Sequence, residues 1–241
     1  RADGYILSRV VLAPQRVKDG TVQFQAIEGY VDQVELQGEI RGDRALLESY
    51  IAKIKAEKPL NSATLERYLL LMDDLPGVTA RSVLRAAQGP AGASNLVVTL
   101  EDDMVEAALQ ADNRGNKFIG PYQLQAVAAV NSAFGMYERN TLRFVTSSDF
   151  EEILYGDYSS EWQLGSEGLR LNTRLAAANT KPGSTLEPLD LEGTTEMIEI
   201  GLRYPLLRSR EQNLFLSTDF RAQEAANDSA GVELFEDRTR N

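Results

Sequence analysis

The chain has 241 residues, enough for one large or two to three small domains, and 25 Lys and Arg against 36 Asp and Glu give it a net charge of −11. It holds neither Cys nor His, which removes disulfides, ordinary zinc sites and the Ser-His-Asp and Cys-His nucleophile systems. No cluster of Lys and Arg could meet a phosphate backbone, so nucleic acid is not an expected partner, and no apolar run approaches the roughly 18 residues of a spanning helix.

The first residue is Arg1 rather than Met, and no charged stretch followed by an apolar one stands near it. The chain is therefore expected to be a fragment whose start, including any export signal, lies upstream. Residues 1–28 read as the tail of an earlier unit. Tyr5 to Leu12 and Thr21 to Ile27 are β-rich runs joined by a loop ending in Asp19-Gly20, a hairpin signal, and they need a partner sheet upstream.

Residues 29–101 predict a β-α-α-β-β module. A short strand, Tyr30 to Leu36, precedes a helix that Asp43 caps and Pro59 ends, with Leu46, Leu47, Tyr50, Ile51 and Ile54 as its buried stripe. A second helix is capped by Asn61 or Ser62, carries Leu65, Tyr68, Leu69 and Met72 on one face and closes at Leu75-Pro76-Gly77. Strands Val78 to Ala86 and Asn95 to Leu100 follow, joined by a Gly and Pro rich loop, Gln88 to Ser94. Two amphipathic helices on one side of a three-stranded sheet make an α+β unit of about 70 residues that can fold alone.

Residues 102–241 predict antiparallel strands with no helix between them. A period of two puts alternate side chains on opposite faces. Leu169, Leu171, Thr173, Leu175 and Ala177 thus oppose Arg170, Asn172 and Arg174, and Val105, Ala107, Leu109 and Ala111 oppose Glu106, Gln110 and Asp112. Tyr122 to Val130, Asp157 to Leu164, Ile198 to Tyr204 and Leu214 to Arg221 repeat the pattern, and at least seven segments alternate in all. An outer-membrane β-barrel gives this alternation with the apolar face toward lipid. A soluble sandwich or barrel gives it with the apolar face inward. Alternation alone leaves both open.

Several short motifs have structural explanations. Gly77, Gly92, Gly115 and Gly120 are expected in turns or at close backbone approaches. Asp112 and Asn113 lack the further acidic positions of a calcium loop and are expected in a turn. The pair Asp73-Asp74 and the run Glu101-Asp102-Asp103 are expected to be solvated element ends. Arg41-Gly42-Asp43 is a turn followed by a helix cap. No constellation supports catalysis, so neither an enzyme nor a cofactor is expected.

The order of motifs resembles a known family. Pro14-Gln15, Asp19-Gly20, Glu28-Gly29, Val34-x-Leu36-x-Gly38, Pro59-Leu60, Leu65-Glu66-Arg67, Leu75-Pro76-Gly77 and Pro90-x-Gly92-x-Ser94 resemble the POTRA domains of TpsB proteins. These are the outer-membrane transporters of two-partner secretion, the haemolysin-activator branch of the Omp85 superfamily. Asp112-Asn113-x-Gly115 with Gly120 is similar to that family's first barrel strand and turn, and Tyr204-Pro205-Leu206, Arg208-Ser209-Arg210 and Asn213-Leu214 to a later strand-turn-strand.

The resemblance implies an α+β POTRA module followed by the all-β antiparallel strands of a transmembrane outer-membrane β-barrel, here incomplete after about seven strands. Residues 1–28 would end a first POTRA domain, 29–101 form a second, and 102–241 open a barrel of roughly sixteen strands. It implies a translocator in the bacterial outer membrane, its POTRA domains in the periplasm. Its partners would be outer-membrane lipid and a secreted, TpsA-like exoprotein taken in unfolded or extended form. A barrel-assembly factor is the alternative within the superfamily, and a soluble periplasmic binding protein the one outside it.

A polar lumen suits Glu106, Glu161, Arg170, Arg174, Glu199, Arg203, Asp219 and Arg221, which are the pore candidates. In such modules the second strand is the usual exposed edge, so Val78, Thr79, Arg81, Val83 and Arg85 are the candidates for binding an extended substrate by strand addition. Edge charges also guard against aggregation. Val83→Pro is expected to weaken capture if its N–H points to solvent.

Overall fold

The computed structural model describes residues 3–17, 20–39 and 41–240. It divides into two compact units, one of Arg1–Asp102 with Gly165–Glu167 and Pro205–Leu214, the other of Asp103–Leu164, Gly168–Tyr204 and Phe215–Asn241.

In the first unit, β1 (Arg9–Val11) and β2 (Gln25–Ile27) pair antiparallel, Arg9 opposite Ile27 and Val11 opposite Gln25. Both are shorter than the predicted runs. Val10, Leu12 and Phe24 stand well exposed, and a two-stranded ribbon without a covering layer is marginal. Lys18 and Asp19, part of the hairpin loop, lie outside the described residues.

The module has the predicted order: β3 (Tyr30–Gln37), α1 (Arg44–Ala56), α2 (Ser62–Asp73), β4 (Val78–Ala86) and β5 (Ala93–Asp102). The Asp43 side chain accepts from the Ala45 N–H and the Asn61 side chain from the Ala63 N–H, each at 2.9 Å, so each helix gains a partner for a first-turn donor. Of the two predicted caps for α2, Asn61 is the one used.

The sheet order is β3-β5-β4, with β5 central, parallel to β3 and antiparallel to β4. Leu47, Tyr50 and Ile54 of α1 and Leu65, Leu71 and Met72 of α2 are buried, as are Val31, Leu96, Val98 and Leu100 of the sheet. Leu71 was not in the predicted stripe. Gly92, at φ +93°, lets β5 begin two residues earlier than predicted; a Cβ there would stand 2.1 Å from the Glu28 carbonyl oxygen.

Two turn segments complete this unit. Arg208 donates Nε and Nη2 to the two carboxylate oxygens of Asp74 at 2.6 and 2.7 Å. Arg67 donates to the carbonyls of Glu167 and Pro205, both at 3.2 Å, and Lys53 pairs with Glu167. The Asp73-Asp74 pair is a solvated boundary only in part: Asp73 ends α2, is exposed and accepts from the Ala80 N–H at 2.8 Å, whereas Asp74 takes the Arg208 fork.

The second unit is built on one antiparallel meander: β6 (Val105–Asp112), β7 (Gln123–Asn131), β8 (Arg139–Ser147), β9 (Ile153–Leu164), β10 (Leu169–Thr180), β11 (Leu191–Arg208), β12 (Asn213–Ser229) and β13 (Val232–Arg240). It has eight strands rather than about seven, and β6 and β13 are its edges, so the sheet is open. A short 3-10 helix, Ser184–Leu189, lies between β10 and β11 and corrects the expectation of no helix among the strands. Asp112 Oδ1 accepts from the Arg114 N–H at 3.0 Å, a local turn as expected.

Candidate functional site

The register sorts the meander into two faces of opposite chemistry. From β6 to β11 the pairs Leu109–Ala126, Ala126–Phe144, Leu142–Tyr158, Tyr158–Leu175 and Leu175–Ile198 stand opposite one another on one face. Their side chains are turned outward. Leu109 is 88 % exposed, Leu142 62 % and Leu175 51 %. A soluble sandwich would bury this face, so its exposure is the reverse of the soluble reading. It is not apolar over its full length: Glu196 lies opposite Ala177, and Glu224 pairs with Arg238 at 3.1 Å on β12 and β13.

The other face carries charge. Glu106, Glu161, Arg170, Arg174, Glu199 and Arg203 share it by register. Asp219 leans over Gly201 and Arg221 bonds Glu199, which brings the last two candidates to the same face. The charges are largely paired with each other. Arg139 grips Glu106 by two bonds of 2.8 Å, Arg170 bonds Glu161 at 2.8 Å and Arg221 bonds Glu199 at 2.7 Å. Asp157, only 3 % exposed, sits between Arg143 at 3.6 Å and Arg174 at 3.2 Å, and Arg174 also donates to the Tyr155 hydroxyl at 2.7 Å. Arg203 lies over the Phe215 ring, 4.0 Å from its centroid.

A cavity of about 1140 Å³ lies across the middle strands, lined by residues of both parities, Ala108, Arg143 and Asp157 of the charged face and Leu109, Leu142 and Leu175 of the apolar one. Sequence reasoning missed Arg139 and Arg143 because it did not identify β8. That strand sets Arg139 and Arg143 beside Val145 on the charged face and Leu142 and Phe144 beside Asn140 and Thr146 on the other, so its alternation is blurred. β13 is blurred in the same way, with Phe235 on the charged side and Glu236 and Arg238 on the apolar one. Asp157 belonged to an identified strand, and its partners alone were hidden.

The second candidate site is the edge of the α+β module. β4 lies at one edge of the three-stranded sheet, paired with β5 over nine uninterrupted positions. Thr79, Arg81, Val83 and Arg85 project from the face away from the helices and are exposed. Val78 does not join them. It is 7 % exposed and points with Ala80 and Leu84 toward the helices, so its side chain is not offered to a ligand. No helix among the described residues is long and apolar enough to cross a membrane.

Two stretches of the chain match known protein families. Residues 1–29 match the ShlB-type POTRA domain. Residues 92–241 match the family described as haemolysin secretion/activation protein ShlB/FhaC/HecB. The chain belongs to that family. It is the TpsB branch of the Omp85 superfamily, whose members are outer-membrane β-barrel transporters.

Among curated relatives, the heme/hemopexin transporter protein HuxB of Haemophilus influenzae (strain 86-028NP) is 24 % identical over 246 residues, covering 99 % of this chain and 42 % of that protein. The outer membrane transporter CdiB of Dickeya dadantii is 25 % identical over 160 residues, 64 % of this chain and 28 % of that protein. Among solved structures, CdiB from Escherichia coli superposes with a TM-score of 0.77 at 19 % identity, covering 99 % of this chain and 45 % of that one. BamA from Haemophilus ducreyi lacking POTRA domains 1–3 gives 0.57 at 11 %, covering 99 % and 48 %. The chain thus spans less than half the length of these relatives, and the likeness to the two solved structures is one of fold.

Proposed function

We propose that this chain is part of an outer-membrane translocator of two-partner secretion. In this reading residues 29–101 are a second POTRA domain in the periplasm, following the end of a first in residues 1–28, and residues 102–241 supply the opening strands of a pore. The partner is a secreted exoprotein passed in extended form, without catalysis by the transporter.

The observation that carries the reading is the two-faced meander. An exposed apolar face suits lipid, and a closed sheet is the only strand structure that leaves no unpaired edge there. The opposite face, with its ion pairs, suits a water-filled passage. Strands β11 and β12 have 18 and 17 residues, whereas roughly 9 to 11 suffice to cross the hydrocarbon. Their ends beyond Ile198 and Ala222 would project past the bilayer, which accommodates Glu196, Glu224 and Arg238 on the outer face. At the module, the exposed β4 edge supports capture of an extended segment by strand addition.

These 241 residues hold no Cys, so an introduced one is unique among them, and any Cys elsewhere in the full-length transporter is first replaced by Ser. In the full-length transporter in intact outer membranes, Arg174→Cys should react with a charged, water-soluble maleimide, and Leu175→Cys should react only with a lipid-soluble one. During export of a partner stalled by a folded domain, the site at Arg174→Cys should become protected. Equal labelling of both positions by the charged reagent would end the lipid-facing assignment. Unchanged labelling at Arg174→Cys during stalled export would end its assignment to the passage.

A further inference from the structure

The hydrogen-bonding direction of β4 can be read from its ends. The Val78 N–H donates to the Leu75 carbonyl at 3.0 Å and the Ala80 N–H to Asp73 Oδ1 at 2.8 Å, both away from β5, while the Ala87 N–H donates to the Ala93 carbonyl. In an antiparallel pair the N–H and C=O of one residue point to the same side, and successive residues alternate. Ser82, Leu84 and Ala86 therefore present their donors and acceptors along the outer edge, and Arg81, Val83 and Arg85 are committed to β5. Val83→Pro would break a ladder bond instead of an edge donor, which corrects the expectation drawn from sequence.

The two edges of this sheet are not equivalent. β3 has a register break between Val31 and Gln33 and carries Asp32 and Glu35; such a bulge and such charges are how edges are protected from pairing. β4 has no break, and its outward face reads Arg81, Val83, Arg85. Val83 is 56 % exposed. Arg81 meets Glu101 at 3.3 Å with both groups well exposed, a pair worth little that a new partner can replace. Arg85 has no carboxylate partner among the described residues.

A strand laid along this edge, in either direction, would place three alternate side chains beside Arg81, Val83 and Arg85. We propose that the β4 edge selects an extended segment in which one apolar residue is flanked, two positions away on each side, by acidic residues. This rests on the reading that β4 receives an exported partner, and it adds the chemistry of the segment received. The chain's net charge of −11 does not oppose this, because charges beyond about 8 Å are largely screened at physiological ionic strength. Within that range Glu101 offsets Arg81 and Asp73 stands at the Ala80 end of the edge, so Arg85 supplies the uncompensated positive charge and Arg81 contributes by exchanging its carboxylate partner.

The test uses the full chain in detergent micelles and fluorescein-labelled peptides read by anisotropy. The first peptide is Thr-Glu-Thr-Val-Thr-Glu-Thr; the others replace both Glu by Gln or by Lys. The Glu peptide should bind about five- to tenfold more tightly than the Gln peptide, with Lys weakest, and the difference should shrink in high salt. In the double variant Arg81→Glu, Arg85→Glu the order should reverse. Ser82→Pro removes an outward donor and no ladder bond, so it should abolish binding of every peptide; N-methylation of alternate peptide residues blocks the same bonds from the ligand's side. Three peptides that bind equally, and are all lost on Ser82→Pro or N-methylation, would overturn the charge selection and leave the edge intact. Binding indifferent to both blocks, or no binding at all, would overturn the edge reading and the proposal with it.

Discussion

The two units use the same apolar side chains in opposite ways. In the α+β module Leu47, Tyr50, Ile54 and Val98 are at most 1 % exposed and hold two helices on a sheet, whereas in the meander Leu109 and Leu142 stand 88 % and 62 % exposed. Burial in the module is gained from within the chain. In the meander the apolar surface meets no second layer among the described residues, which suits a medium such as lipid. A leucine's contribution is set by what replaces water around it, and here the register decides which of the two applies.

The largest effect that tests this contrast is a cavity in the module. Leu47→Ala should lower stability by about 2 to 5 kcal/mol, read as the urea midpoint of the full chain in micelles by far-UV circular dichroism. Leu109→Ala in the same assay should stay within about 0.5 kcal/mol. Comparable losses would mean that Leu109 is packed, and the contrast would fail.

Next in size is a charge on the apolar face. Leu175→Arg should reduce assembly into outer membranes by about 2 to 4 kcal/mol if the site lies near the midplane, measured as the heat-modifiable fraction of the full-length transporter. Arg170→Leu, on the facing side, removes a part-exposed pair with Glu161 and should alter assembly by about 1 kcal/mol or less. Reversal of that order would exchange the two faces.

Much of this architecture was legible in the sequence, because helical spacing and cap chemistry are local. Asp43 and Asn61 sit where a cap must sit, and the stripes of α1 and α2 follow from their period. The sharing of one face by all eight charged candidates was legible for a similar reason: once a strand is located, its parity is fixed. What was hidden depends on neighbours. β8 and β13 mix their faces, so period-two reading passes over them. The Asp157 site between Arg143 and Arg174 joins three strands and has no local signature. Val78 was grouped with the outward edge residues although parity sets it with the core, and the side to which the Val83 N–H points depends on which flank of β4 meets β5. The Asp74–Arg208 fork joins residues 134 positions apart, beyond any pattern in a window.

A smaller effect distinguishes local from global support of the helices. Asn61→Ala removes the acceptor for the Ala63 N–H and should destabilise the module by about 1 kcal/mol, with little change in the meander. The check is hydrogen exchange, which should speed up along α2 and leave β9 and β10 as they were. Equal acceleration in both units would show that they unfold together.

The smallest effect is a pH response in the loop between β8 and β9, the meander's counterpart of that cap. The Asp149 carboxylate is held down to about 2 from its ordinary 3.8, first by the Glu152 carboxyl, then by the Ser147 hydroxyl at 2.7 Å and the Glu151 N–H at 3.2 Å. A carboxyl whose pKa is lower in the folded state contributes stability that is complete above its unfolded value and is lost as pH falls through the folded one. The loop should therefore keep its hydrogen bonds down to about pH 4 and lose them between about 4 and 2. Because Asp149 is exposed, solvent screening keeps this contribution small, and it should be read locally, from exchange of the Glu151 N–H, rather than from global unfolding. Asp149→Asn retains an acceptor and cannot titrate, so it should flatten the response. A response that persists in that variant would assign the transition to another carboxyl.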